Sequence, residues 1–339
     1  MRIKFNLSII NSGLLLVFVL LSSASNGQYF KLTTSFGGSI YQGDLSNGVV
    51  SSIGPAASVG LTYDLYDNFR LRTNLSFLQV SADDSKSPKL AIKERNLNFK
   101  SDIIELSLMG EIDLLNSEDY TLVPYLFGGT SIYHFNPYTT IKQSDITEAT
   151  NLGYTGLFKV GQKVYLHDIG TEGQILNDKT LKTVGKSYNL TQLNIQLGGG
   201  FRYKISDAIS IGYEFSFRKL FTDYLDDVSS KTYIGADEWT KVINSAKASG
   251  NTGRVKLLEE GEILSWRSLD KGGTPVILPA QPRNPRGNPD ANDAYFSSQV
   301  RLSFTLFSKS DKYTRGNNKL YSPGNPRGKG QLNCPKVFY

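Results

Sequence analysis

The sequence is poor in the residues that build most catalytic and metal centres. Its 339 residues include one cysteine, Cys334, and two histidines, His134 and His167. It offers no zinc-ligand spacing and no nucleophile elbow. Gly198-Gly199-Gly200 lacks the setting of a phosphate loop and is expected to mark a bend or a close approach inside a strand. Long apolar runs are missing too. Residues 14–21 form an apolar stretch too short for a comfortable membrane span. With 39% hydrophobic residues and a mean hydropathy of −0.27, a bundle of membrane helices is excluded. A membrane barrel is not, because only alternate residues of its strands face lipid. The body also lacks excess charge. Of the net +6, residues 1–27 carry +2 and the tail from Lys309 carries +6, which leaves residues 28–308 at −2. That basicity implies no nucleic-acid partner.

What is present points outward from the cell. Arg2 and Lys4 precede the apolar stretch, and Ser25-Asn26-Gly27 supplies small residues for cleavage. Residues 1–27 therefore read as a secretory signal, with a mature start at Gln28. The chain holds 19 Tyr, 18 Phe and 32 Gly, which suit strands, interfacial girdles and tight turns.

Residues 193–217 are the clearest strand pair. Leu193, Ile195, Leu197, Phe201 and Tyr203 alternate with Asn194, Gln196, Arg202 and Lys204. After a turn at Ser206-Asp207, Ile209, Ile211, Tyr213, Phe215 and Phe217 alternate with Ser210, Gly212, Glu214, Ser216 and Arg218. A period of two on both arms predicts an antiparallel hairpin. Its charged second face suits a cylinder with lipid outside and a wet or salt-bridged interior. Further strands are predicted over 30–41, 57–65, 69–80, 97–114, 123–135 and 296–306. Val123, Tyr125, Phe127, Tyr133 and Phe135 mark the fifth strand. A short helical segment at 236–246 is open.

Joins two–three, four–five and six–seven are short, whereas one–two, three–four, five–six and seven–eight are long. Outer-membrane barrels sort tight periplasmic turns from long outward loops in this way. The predicted fold is all-β: an eight-stranded antiparallel transmembrane outer-membrane β-barrel over 28–308. Long extracellular loops cover 137–190 and 222–293, and a basic periplasmic C-terminal tail covers 309–339. Eight strands enclose a lumen that side chains fill. Arg70, Arg72, Glu105, Glu111, Asp113, Arg202, Glu214, Arg218 and Arg301 point into it and are expected to pair, because an unpaired charge there is costly.

Several segments, in order and spacing, resemble the PorG family, outer-membrane proteins of the type IX secretion system in Bacteroidetes-type bacteria. They are residues 38–45 (Gly-Ser-Ile-Tyr-Gln-Gly-Asp-Leu), 95–99 (Arg-Asn-Leu-Asn-Phe), 124–129 with 134–137, 170–174 (Gly-Thr-Glu-Gly-Gln), 221–228 (Phe-Thr-Asp-Tyr-Leu-Asp-Asp-Val) and 286–289 (Arg-Gly-Asn-Pro). The resemblance implies a non-enzymatic barrel without cofactors that helps organise a periplasmic ring of the PorK lipoprotein and PorN. The insertion at 231–281 departs from a minimal version, and its role is open.

Several candidate sites follow. Cys334 is either a spare thiol or one half of a disulfide to a partner, since the periplasm is oxidising. Arg327, Lys329 and Lys336 sit among Gly, Pro and Asn on a tail that is either a solvated extension or an arm that docks onto an acidic partner or onto peptidoglycan. Tyr41, Gly43 and Asp44, with Thr171 and Glu172, either brace one loop against another or are turn chemistry alone. In the brace, Asp44 and Glu172 accept backbone or arginine hydrogen bonds. Asp223, Asp226 and Asp227 are a weak calcium candidate without the EF-hand spacing. His134 is the one rim position from which a hydrolase could act. A stand-alone adhesin built on the two long loops is the alternative function.

Overall fold

The alternating stretches form strands that close on themselves. The computed structural model describes residues 30–45, 52–117, 119–176, 185–280 and 286–307. The strands are β1 (Phe30–Gln42), β2 (Gly54–Tyr66), β3 (Phe69–Asp83), β4 (Asn98–Asp113), β5 (Leu122–Thr140), a short β6 (Lys163–Tyr165), β7 (Thr191–Lys204), β8 (Ile209–Leu220) and β9 (Ala294–Phe307). The hydrogen-bonded order is β4-β3-β2-β1-β9-β8-β7-β5, and β5 pairs back onto β4, closing an eight-stranded antiparallel barrel. β6 adds only to the outer end of β5, across Tyr138–Thr140. Contacts assign everything below to a unit spanning Lys31–Phe304. A second unit joins Met1–Phe30 with Thr305–Tyr339; its described residues are Phe30 and Thr305–Phe307. The signal, Cys334, Arg327, Lys329 and Lys336 lie outside the described residues. No described helix is long and apolar enough to cross a membrane.

The exterior is apolar. Leu75, Phe77, Ile104, Leu106, Leu108, Leu126, Ile132, Leu197, Phe201, Phe215 and Val300 are all about half exposed. A belt of that extent suits hydrocarbon and would be a liability in water. The apolar exterior of β4 runs from Ile104 to Ile112, nine residues, which is what a tilted strand needs to cross a bilayer core.

The strands are longer than that. Above a common level their alternation inverts. Along β3 the inward series is Arg70, Arg72, Asn74, Ser76, then Leu78, Val80 and Ala82, while the outward series passes from Phe77 to Gln79 and Asp83. In β4 the inward Ile103 and Phe99 succeed Glu105, and the outward side becomes Asp102 and Lys100. The register aligns the change across the wall, with Phe77 opposite Ile104 and Leu78 opposite Ile103. Below this level the barrel is greasy outside and polar inside. Above it the wall is polar outside and encloses an apolar core with Tyr41, Phe99, Tyr133, Phe135, Leu220 and Tyr295.

The structure adds to the sequence reading in two places. The residues that mark the fifth strand, Val123, Tyr125, Phe127, Tyr133 and Phe135, all point inward, and Leu122, Leu126 and Ile132 face out. The space for two of these rings comes from β7: a Cβ on Gly198 would lie 2.3 Å from the Phe127 ring, and one on Gly200 3.0 Å from the Tyr125 hydroxyl. The glycines are thus close-approach seats.

The long joins are also more structured than expected. They carry α1 (Leu90–Arg95), α2 (Gln143–Asn151), α3 (Leu166–Ile169), α4 (Ala236–Ala248) and α5 (Thr252–Ser265). The open helical segment is a full helix because Trp239, Val242, Ile243 and Ala246 recur on one face and are buried. Gly250, at φ 69°, ends it, and Asn251 caps α5 by accepting from Arg254 N at 3.0 Å. With Leu258, Trp266 and Leu278 these residues form a separate small core. The described part of the insertion, 231–280, is a folded cap.

Candidate functional site

Two polar assemblies stand out, one inside the barrel and one where the loops meet. In the barrel, Glu111 is the hub. It faces Arg70 (3.5 Å), Arg72 (3.0 Å), Arg202 (2.7 Å) and Arg301 (3.0 Å). Asp113 takes Arg70 at 2.6 Å and Arg202 at 2.5 Å, and Glu214 takes Arg72 at 2.9 Å and Arg301 at 2.6 Å. The Tyr125 hydroxyl donates to Glu214 at 2.7 Å. Nearer the loops, Glu105 accepts from Arg218, Asn194 and the Tyr295 hydroxyl. With Asp64 on Arg70 at 2.9 Å, five guanidiniums meet five carboxylates. The whole lumen set named from the sequence is paired. The charges close the lumen, and they can do so at bearable cost because each finds several partners.

The second assembly ties the four long loops together. Arg95, at the end of α1, grips Asp84 through Nε (2.6 Å) and Nη2 (2.9 Å) and donates to the carbonyls of Arg286 (2.7 Å) and Asp44 (3.2 Å). Asp44 Oδ2 accepts from Asn288 N at 2.7 Å. Glu172 Oε1 accepts from Ser229 N, Ser230 N and Arg286 Nε, each at 2.9 Å, and Oε2 accepts from Ser230 Oγ at 2.8 Å. Arg286 also donates to Thr171 Oγ1, which donates to Asp227. Asp44 and Glu172 thus brace loops, with backbone and arginine donors as partners. The site residues Tyr41, Gly43, Asp44, Thr171, Glu172, Asp223 and Asp226 all converge here. Gly43 packs directly on Tyr41 and Asp293, so that a Cβ there would displace Asp293 Oδ1 and the Tyr41 hydroxyl.

Carboxylates crowd this knot. Burial pushes Asp226 and Asp293 well above the usual carboxylate range, reinforced by neighbouring aspartates. Asp223 is raised to about 8 by burial and by Asp44. Asp227 is raised to about 6 by burial, held back by hydrogen bonds from Thr171 and Tyr188. Among the described residues no group of three His, Cys, Asp or Glu is arranged to hold a metal ion. Two of the three calcium candidates take protein donors: Asp226 accepts from Tyr41 and Val228 N, and Asp227 from Thr171 and Tyr188. A cavity of about 20 Å³, room for one water, lies among Thr171, Asp226, Asp227, Arg267 and Arg286.

His134 stands on the outward face of β5, its Nδ1 2.9 Å from Thr191 Oγ1. His167 instead faces the Tyr188 carbonyl, under a stack of Tyr188 on Tyr224. The sequence reading missed Asp84, Asp293, and the pair in which Arg267 grips Asp145 at 2.8 and 2.6 Å. Nothing local announces these residues, because only the folded loops bring them together.

A closed antiparallel cylinder of eight strands, apolar towards its surroundings and ion-paired within, is in fold a transmembrane β-barrel of the outer-membrane type. Residues 11–169 match the family model described as a domain of unknown function, DUF6089. No curated protein matches the chain. Among solved structures, Neisserial surface protein A is similar at 8% identity and a TM-score of 0.34, over 83% of this chain and 98% of that one. A major outer membrane protein of Thermus thermophilus is similar at 12% identity and a TM-score of 0.36, over 82% and 99%. OprG of Pseudomonas aeruginosa is similar at 8% identity and a TM-score of 0.34, over 83% and 97%.

Proposed function

We propose that the chain is a non-enzymatic protein of the outer membrane that serves a type IX secretion apparatus, with its basic arm at 309–339 in the periplasm anchoring a PorK/PorN ring. One observation carries the reading. The segments that resemble the PorG family are scattered through the sequence, yet Asp44, Arg95, Thr171, Glu172, Asp226, Asp227 and Arg286 from five of them belong to one hydrogen-bonded knot. A resemblance borne by residues that fold together is one of architecture, not of composition. The apolar belt and the signal at 1–27 support the location, and Cys334, Arg327, Lys329 and Lys336 are the arm's contacts in this reading.

The test is a deletion of 309–339 in the producing cells. The barrel is expected to reach the outer membrane while the ring lipoprotein no longer co-purifies and secretion falls. Unchanged co-purification would reject the arm as anchor. A stand-alone surface-binding barrel is the second reading, favoured by the folded cap, which leaves Ile277 66% exposed beside Val276. Under it, removing 231–281 abolishes binding to surfaces and removing the arm leaves secretion intact.

A further inference from the structure

The knot contains a hydrogen-bond count that does not balance without an extra proton. Tyr41 Oη lies 2.6 Å from Asp226 Oδ2 and 2.9 Å from Asp293 Oδ1. A phenol has one hydrogen and can donate to only one of the two. The far oxygens of both carboxyls are occupied as acceptors: Val228 N donates to Asp226 Oδ1 and Leu225 N to Asp293 Oδ2, each at 2.9 Å. The second short contact to the phenol is therefore a hydrogen bond only if one carboxyl is itself protonated and donates to the Tyr41 oxygen.

The surroundings favour that proton over a counter-ion. Asp226 and Asp293 are 1% and 0% exposed. Three cations lie nearby, and all are engaged: Arg95 grips Asp84, Arg286 holds Glu172, and Arg267, which shares the small cavity with Asp226, grips Asp145. The other groups facing the pair are acidic or phenolic. Asp44 comes from the β1–β2 loop, Asp223 from the segment after β8, Tyr188 from the segment before β7, and Tyr133 from the wall beneath. Two carboxyls so placed cannot both ionise cheaply. Each partner also belongs to a different part of the molecule: Tyr41 ends β1, Asp226 lies in the segment that joins β8 to the cap, and Asp293 is where the chain re-enters β9.

We propose that the cap is latched to the barrel wall by one proton shared between Asp226 and Asp293 across the Tyr41 hydroxyl, and that it loosens when that proton is lost. Buried acids that hold protons in the folded state contribute stability that is complete below the ordinary carboxylate range. It is lost as pH rises through their folded values, so the cap is tightest in acid and loosens towards alkali. The barrel stays shut meanwhile, because the ion pairs around Glu111 do not depend on the latch. This inference is independent of the secretion reading.

The chain supplies its own reporter, since its two tryptophans, Trp239 and Trp266, both lie in the cap. The full-length protein in detergent micelles would be followed by tryptophan fluorescence and by hydrogen exchange corrected for intrinsic rate, between about pH 5 and about pH 9. Exchange over 222–230 and 286–293 is expected to rise by up to about tenfold per pH unit for one proton, while β3 and β4 stay protected. Asp293→Asn supplies a permanent donor to the Tyr41 oxygen and should flatten the response. Asp226→Asn provides the same test if that variant fails to fold. A wild-type cap whose corrected exchange is independent of pH overturns the latch. So does an Asn variant that folds and keeps the full wild-type response.

Discussion

Two regions of the same eight strands obey opposite rules. From the turns up to the level of Phe77 and Ile104, the outside is apolar and the inside holds arginine–carboxylate networks. Above it the outside carries Gln79, Asp102 and Lys100, and the inside is packed with Leu78, Ile103, Tyr133 and Phe135. The solvent explains the difference. A strand in hydrocarbon gains by turning apolar side chains outward and can hide charge only where partners wait. In water the same backbone gains by the reverse arrangement. The inversion marks where the hydrocarbon ends, and the register aligns it between β3 and β4.

That contrast can be broken most severely at Glu111. Glu111→Leu leaves Arg70, Arg72, Arg202 and Arg301 short of a shared carboxylate, at a cost of about 3–5 kcal/mol. The urea midpoint of the purified barrel should fall while cap fluorescence before the transition is unchanged; an unaltered midpoint would show that the network is not load-sharing. A paired comparison sharpens the boundary itself. Leu75→Lys, on the lipid side, is expected to cost about 2–4 kcal/mol, depending on depth. Gln79→Lys, four residues on and beyond the inversion, should stay within about 0.5 kcal/mol, since it faces water and Asp102. Equal effects would dissolve the boundary.

The smallest effect belongs to the contact between α2 and the cap. Glu148, on α2, is pushed up to about 9 by burial and by neighbouring Asp145 and Glu262. It therefore holds a proton at neutral pH. Its contribution is complete below the ordinary value near 4.5 and is lost progressively as pH rises towards 9. Glu148→Gln should make cap stability, read from Trp239 and Trp266, less dependent on pH, and leave the barrel's denaturation unchanged. A steeper dependence in the variant would contradict the sign.

Much of the membrane region was legible in the chain, because a period of two with charge on one face has few physical explanations. Arg70, Arg72, Glu111, Glu214 and Arg301 could be placed inside by counting. Above the bilayer the same count did not reveal the reversal. Phe77-Leu78 and Ile103-Ile104 are adjacent apolar pairs at which the face changes, and strict alternation reads straight across them. The fifth strand was harder still, since Tyr125 and Phe127 point inward only because Gly198 and Gly200 on a neighbouring strand leave room. The helices of the insertion were within reach, for Trp239, Val242, Ile243 and Ala246 carry a plain helical spacing. The knot was half legible: glycine and acid motifs flagged Asp44 and Glu172, but Arg95, Asp84 and Asp293 become neighbours only through the folded loops.

The overhanging wall has one more effect. From Ile132 to the end of β5 at Thr140 the strand continues for eight residues, a rise of at most about 27 Å before tilt. The knot and the tryptophan-cored cap ride on that rise like a platform on a pier. A macromolecule approaching from outside would therefore encounter folded protein surface well before it reached any headgroup. Changes to that surface can accumulate there without disturbing a single residue that touches lipid.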